Sequence, residues 1–260
     1  MQEVKQMNSK VIGKPLLAEI IDNKSLSDDI FQITLNCEDI AKKAVPGQFV
    51  SVLCKDLILR RPFSIANAYA DKFQIIYKVK GKGTEFISGL KQGNFLNIVG
   101  PFGNGYTIPE NNSLLIGAGV GIAPVMFLSK VLEKNNTPFT LLAGFQKSLS
   151  INELSKNNCY MVTEDGSSGL KGRINDYLEN FIEKYKPEKI YACGPEIVLK
   201  YAVEAANKYN IESEIALERE FACGIGVCMG CSVKILENSK EVNRRICKDG
   251  PVFNGRSVIW

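Results

Sequence analysis

Short apolar runs separated by turn residues fill the N-terminal part of the chain. Between Leu16 and Val99 they include Phe31–Leu35 (FQITL), Gln48–Leu53 (QFVSVL), Phe73–Val79 (FQIIYKV) and Phe95–Val99 (FLNIV). Pro46-Gly47 and Gly81, Gly83 and Gly93 punctuate them. Many short strands at this spacing predict an antiparallel β-barrel. One short helix is expected in TEFISGL, with Thr84 as its N-cap and its end near Gly89.

The rhythm changes after Pro109. Ser113–Ile116 (SLLI) reads as a buried strand that enters the glycine turn GAGVGIAP and then a helix over Val125–Lys134. Apolar runs at Phe139–Leu142 and Tyr160–Val162 follow, then a helix over Ile174–Tyr185, a strand over Lys189–Ala192 and a helix from Glu196 to Tyr209. Strands alternating with helices predict a parallel sheet with crossover helices, an α/β domain. The last stretch is glycine-rich and holds four cysteines between 223 and 247. The simplest parse has three modules: a barrel over 11–108, an α/β domain over 109–215 and a cysteine-rich module over 216–260.

Composition narrows the chemistry. A net charge of +4, spread along 260 residues, gives no basic patch for nucleic acid. No run approaches the roughly 20 apolar residues of a membrane span. The leading MQEVKQMNSK lacks the apolar core of a secretory signal, so a cytoplasmic protein is expected. Thiols there stay reduced, and eight cysteines then point to metal or redox work rather than disulfides. The chain has no histidine, which excludes Ser–His and Cys–His nucleophile pairs, His-ligated zinc and a Rieske cluster from this chain. The reacting groups must be carboxylates, thiolates or a bound cofactor.

Cys223, Cys228 and Cys231 have the spacing C-x4-C-x2-C, and Cys247 follows after fifteen intervening residues. This is the plant-type pattern for a [2Fe–2S] cluster. Gly224, Gly226 and Gly230 supply the backbone freedom that a loop folded around a cluster demands. A four-cysteine zinc site or simply buried thiols are the alternatives, although zinc sites usually take two C-x2-C knuckles and only one is present. Cys37, Cys54 and Cys159 show no ligand spacing and are expected in the core.

Four further motifs suit a nucleotide. In Arg60-Arg61-Pro62-Phe63-Ser64, a guanidinium can pair with a pyrophosphate while the serine and nearby backbone bond a flavin edge. Tyr77-Lys-Val-Lys-Gly-Lys-Gly-Thr84 closes a strand and opens a helix, where Gly83 and Thr84 can present N–H groups to phosphate. Gly117–Pro124 and Cys193-Gly194-Pro195-Glu196 each join a strand to a helix, the place where α/β sheets bind ligands. Each is equally an ordinary structural turn when taken alone, and Ile122 breaks the Rossmann pattern at its third glycine.

The order RPFS, GKGT, GAGVGIAP, CGPE resembles the ferredoxin–NADP reductase superfamily across almost the whole chain. Within it, the ending ERxFACGIGVCMGC…CKDGPVF is similar to the electron-transfer subunits of class 1B dihydroorotate dehydrogenases. The resemblance implies an FAD-binding barrel, a pyridine-nucleotide (NAD) domain and a [2Fe–2S] module. It implies FAD contacts from Arg61, Pro62, Phe63, Ser64, Tyr77, Lys78, Val79, Gly83 and Thr84. Gly119, Gly121 and Pro124 would shape the nicotinamide-nucleotide site, with Cys193, Gly194, Pro195 and Glu196 near the nicotinamide. Cys223, Cys228, Cys231 and Cys247 would ligate the cluster. Phe63 stands where the superfamily often has tyrosine, which removes one hydroxyl. The implied partner is an FMN-containing catalytic subunit, in a heterotetramer of two of each chain, that oxidises dihydroorotate. Electrons would pass from FMN through cluster and FAD to NAD⁺, in pyrimidine biosynthesis. A related flavin/iron–sulfur subunit of a ferredoxin:NADP oxidoreductase, sulfide dehydrogenase or hydrogenase is the alternative, and a zinc-binding adaptor a third. Trp260 is expected to pack against the fold rather than cover a flavin.

Overall fold

A computed structural model describes residues 13–151, 154 and 158–260. The leading segment read for a signal, and the first two residues of the 11–108 range, lie outside them. Strands β1 (Leu16–Ser25), β2 (Ile30–Asn36), β3 (Phe49–Leu53), β4 (Arg61–Tyr69), β5 (Lys72–Lys78) and β6 (Phe95–Phe102) form a closed barrel in the order β1-β2-β5-β4-β3-β6. Its neighbours all run antiparallel. Alternation decides what faces inward: Ala18 and Ile20, Val50 and Val52, Phe73, Ile75 and Tyr77, and Leu96 and Ile98 fill the interior. A one-turn helix, α1 (Glu38–Ala41), follows β2.

Helix α2 (Lys82–Ser88) begins three residues earlier than the sequence suggests, with Gly81 rather than Thr84 as its N-cap. Thr84 is therefore inside the first turn. Its hydroxyl reaches back to accept the N–H of Lys80 at 2.9 Å and of Gly81 at 3.2 Å, which fixes the turn as an N-cap would.

The second unit is a sheet in the order β10 (Leu170–Lys171), β9 (Cys159–Thr163), β8 (Phe139–Phe145), β7 (Ser113–Ala118), β11 (Lys189–Cys193), β12 (Glu212–Ala216), all parallel. Helices α4 (Ile174–Tyr185) and α5 (Glu196–Lys208) cover one face. Helix α3 (Ile122–Lys134) covers the other and is buried from Ile122 through Ser129. It packs on the barrel as well, with Ala66 and Ile76 joining its core and Phe127 entering the barrel's. An apolar helix without a wet face is what a position between two layers requires. It starts at Ile122 rather than after Pro124, because proline in the first turn interrupts no intrahelical bond.

The last segment forms a small sheet, β14 (Lys240–Arg245), β13 (Ser232–Glu237), β16 (Val258–Ile259), with the short helix α6 (Ile246–Asp249). Strand β15 (Val252–Asn254) leaves this sheet and pairs antiparallel with β12, adding a seventh strand to the large sheet. Among the described residues no helix is long and apolar enough to cross a membrane.

Candidate functional site

Strands β4 and β5 pair only from Ile65 and Ile75 onward. Before that point Arg61–Ser64 bonds β3 alone, and on the other side Ile76–Lys78 bonds β2 alone. The facing edges are left unpaired, and the gap between the RPFS and YKV segments is the candidate cleft. The GKGT turn closes it: a Cβ on Gly83 would stand 3.2 Å from Arg61 Cγ and 3.2 Å from Leu57 Cδ1. Arg61 gives one bond, Nη1 to the Leu59 carbonyl at 2.7 Å, and no carboxylate pairs with it among the described residues. Its remaining donors are available to an anion. Lys78 is engaged with Asp29 at 2.9 Å.

The Tyr77 side chain is buried. Its ring lies inside the barrel, edge-on to Phe63 at 5.9 Å, and its hydroxyl donates to Asn23 Oδ1 at 3.0 Å. Burial pushes the phenol up to about 12. What Tyr77 offers the cleft is backbone. Thr84 likewise spends its hydroxyl on its own turn, donating to the Gly81 carbonyl at 3.0 Å.

The glycine turns after β7 and β11 are pressed together. These strands are neighbours, with Gly117 opposite Cys193. A Cβ on Gly121 would fall 2.5 Å from the Cys193 carbonyl oxygen, and one on Gly194 would fall 2.7 Å from Ala118 Cβ. Gly119, at φ +56°, faces open space at the same end of the sheet. Pro124 is buried in the first turn of α3. Burial, helped by the charge of Glu218, pushes the Cys193 thiol up to about 12, so it stays protonated. Glu196 receives Lys200 at 2.8 Å and Arg219 at 3.1 Å, and this second bond ties the CGPE turn to the segment entering the cysteine loop. Trp260 lies exposed beyond the same helix, its ring 5.4 Å from Lys200 Nζ.

The cysteine loop brings its four sulfurs into two pairs. Cys223 and Cys228 are 3.2 Å apart, and Cys231 and Cys247 are 3.3 Å apart. All four are free thiols. Two pairs suit two irons, each taking two thiolates. Backbone N–H groups point at the sulfurs: Gly226 to Cys247 at 3.1 Å, Cys228 to Cys223 at 3.4 Å, and Gly230 to Cys228 at 3.5 Å. Burial raises the Cys223 thiol, yet donors from Cys228, Ile225 and Val227 outweigh it and draw the group down to about 6. The thiolate, the form that binds iron, is favoured there.

Sequence reasoning missed how this loop meets the barrel. Phe49 of β3 stacks edge-on with Phe221 at 5.3 Å, and Gly224 lies over Ser51, its ideal Cβ 3.4 Å from the hydroxyl. Ser51 is paired with Pro62 and Phe49 with Ser64. The cysteine loop therefore rests on the strand adjoining the cleft. An outward-facing Phe and Ser on a predicted barrel strand were the available signal, without any indication of what covers them. Of the other cysteines, Cys54 is buried within the barrel core, while Cys37 and Cys159 are half-buried against core clusters.

Comparison with known proteins agrees with this arrangement. Residues 218–259 match the family model for the iron–sulfur cluster binding domain of dihydroorotate dehydrogenase B. The electron transfer subunit of dihydroorotate dehydrogenase B (NAD(+)) from Caldanaerobacter subterraneus subsp. tengcongensis is 36% identical, over 94% of this chain and 98% of its own length. That of Desulforamulus reducens is 34% identical, over 97% and 99%. The chain belongs to the family of dihydroorotate dehydrogenase B electron transfer subunits. Among solved structures, a chain from the structure of an NADH-dependent reduced ferredoxin–NADP oxidoreductase superposes with TM-score 0.84 at 28% identity, covering 95% of this chain and 91% of that one. Ferredoxin–NADP⁺ reductase from Plasmodium falciparum shares the fold, with TM-score 0.60 at 19% identity over 75% and 91% of the two chains. The expected combination of barrel, parallel-sheet domain and iron–sulfur module is thus the fold of this chain.

Proposed function

We propose that this chain carries electrons from the FMN of a dihydroorotate dehydrogenase catalytic subunit to NAD⁺, as an oxidoreductase subunit in pyrimidine biosynthesis. The observation that carries the reading is the cysteine loop lying on β3, next to the β4–β5 cleft, within a chain of this family. When bound, FAD exchanges a hydride with nicotinamide and single electrons with a [2Fe–2S] cluster, so it belongs between them.

The chain's residues divide the task. Arg61 and the Gly83 turn hold the flavin pyrophosphate, while Pro62, Phe63, Ser64 and the backbone of Tyr77, Lys78 and Val79 line the cleft. Thr84 holds the shape of that turn. Gly119, Gly121 and Pro124 form the nucleotide turn, with Cys193, Gly194, Pro195 and Glu196 beside the nicotinamide. Cys223 and Cys228 take one iron, and Cys231 and Cys247 the other. The corresponding domains are 11–108, 109–215 and 216–260. Val227 and Met229 are 72% and 51% exposed on the cysteine loop, and this apolar tip is where the catalytic subunit docks, in a heterotetramer of two of each chain. A cytoplasmic location follows from the reduced thiols this site needs.

Co-expression with the catalytic subunit and anaerobic purification test the reading. Flavin and cluster absorbance, with dihydroorotate:NAD⁺ turnover confined to the complex, is expected. A colourless protein would contradict it. Chromophores without dihydroorotate activity would favour the second reading, a subunit of a ferredoxin:NADP oxidoreductase, to which the 0.84 superposition gives weight.

A further inference from the structure

Arg245 precedes α6 and is fixed by Asp249 at that helix's other end. Asp249 Oδ2 accepts both the Arg245 backbone N–H at 2.8 Å and Nε at 3.1 Å. The pair is about three-quarters buried, with side-chain exposures of 25% and 23%. So anchored, the guanidinium donates from Nη1 to the Gly226 carbonyl at 2.6 Å. Gly226 is held at φ +77°, where a Cβ would collide with Lys248 Cδ at 2.5 Å, and its own N–H points at Cys247 Sγ at 3.1 Å. One end of this residue is gripped by arginine and the other faces a ligand sulfur.

We propose that Arg245, braced by Asp249, is a positioning residue for the iron–sulfur site. It locks Gly226 so that its N–H stays on the Cys247 sulfur, which keeps the cluster's reduction potential up and its iron retained. The inference rests on the cluster reading above. Hydrogen bonds to cluster sulfurs favour the reduced, more negative state, and the partners behind the ligands orient them. A point charge at the same place cannot replace the grip, because lysine lacks the rigid fork that spans Asp249 and the Gly226 carbonyl.

The test is an anaerobic redox titration of the full complex followed by EPR, with chelator-driven bleaching beside it, for wild type, R245K, R245Q and D249N. Both arginine variants should shift the one-electron equilibrium at least tenfold toward the oxidised form, about 59 mV lower in potential. They should bleach at least tenfold faster while retaining full FAD. D249N should shift in the same direction. A wild-type potential in R245K would overturn the proposal in favour of charge alone. Where R245Q holds no iron, D249N decides, and a wild-type potential there overturns the proposal. Absence of any [2Fe–2S] signal in wild type would instead defeat the cluster reading, and the proposal with it.

Discussion

Replacing Gly121 with alanine isolates the contact that shapes the proposed nucleotide turn. Gly121 has ordinary helical angles, φ −63° and ψ −9°, so alanine brings no backbone penalty of its own. Its Cβ, however, would meet three backbone atoms: the Cys193 oxygen at 2.5 Å, the Cys193 carbon at 2.6 Å and the Gly194 Cα at 2.6 Å. None of these can swing aside as a side-chain tip would. The turns after β7 and β11 must part by about 1 Å, an overpacking that costs about 1–3 kcal/mol. Expressed at the nucleotide step, that weakens NADH binding roughly 5- to 150-fold, at 1.4 kcal/mol per tenfold. Anaerobic titration of flavin reduction by NADH reads it directly, with FAD and iron content as controls expected to stay at wild-type levels. G119A is the companion: its Cβ meets open space, but φ +56° costs alanine about 1–2 kcal/mol. Wild-type NADH affinity in G121A would refute the claim that the jammed turns form the nucleotide site.

Other outcomes follow from the same geometry. If Arg61 holds the flavin pyrophosphate as proposed, R61A should lose a charge-assisted contact of about 1.5–3 kcal/mol and weaken FAD retention roughly 10- to 150-fold, read by flavin released on gel filtration, with the cluster spectrum intact. Charges at the exposed loop tip, V227E with M229E, should abolish co-purification with the catalytic subunit while FAD and iron content hold. Burial pushes Tyr77 and Tyr191 up to about 12 from the usual 10, so the stability that depends on their neutral forms is complete below pH 10 and lost as pH rises through 12. Thermal melts should fall steeply across that window, and Y77F should flatten part of the fall. An identical alkaline profile in Y77F would contradict it.

What the sequence made legible was local. The cysteine loop, the glycine turns and the α4 helix could be read because each depends on residue types a few positions apart. The start of α3 was misplaced because Pro124 looks like a boundary yet fits the first turn. Thr84 looks like a cap, but Gly81 takes that place and the threonine bonds back to it. Strand β12 has the polar run ESEIA and shows its role only when β11 and β15 pair on either side of it. The contacts of Phe49 with Phe221, and of Arg245 with Gly226, join residues far apart in the chain, and no spacing rule announces them.

Stopped-flow reduction by dihydroorotate of the complex carrying Cys228→Ser in this chain asks whether electrons cross the cysteine loop. The partner's FMN is expected to bleach at its usual rate while this chain's FAD stays oxidised, although NADH still reduces that FAD. Reduction of the FAD by dihydroorotate at the wild-type rate in that variant would show that electrons do not pass through the cysteine loop.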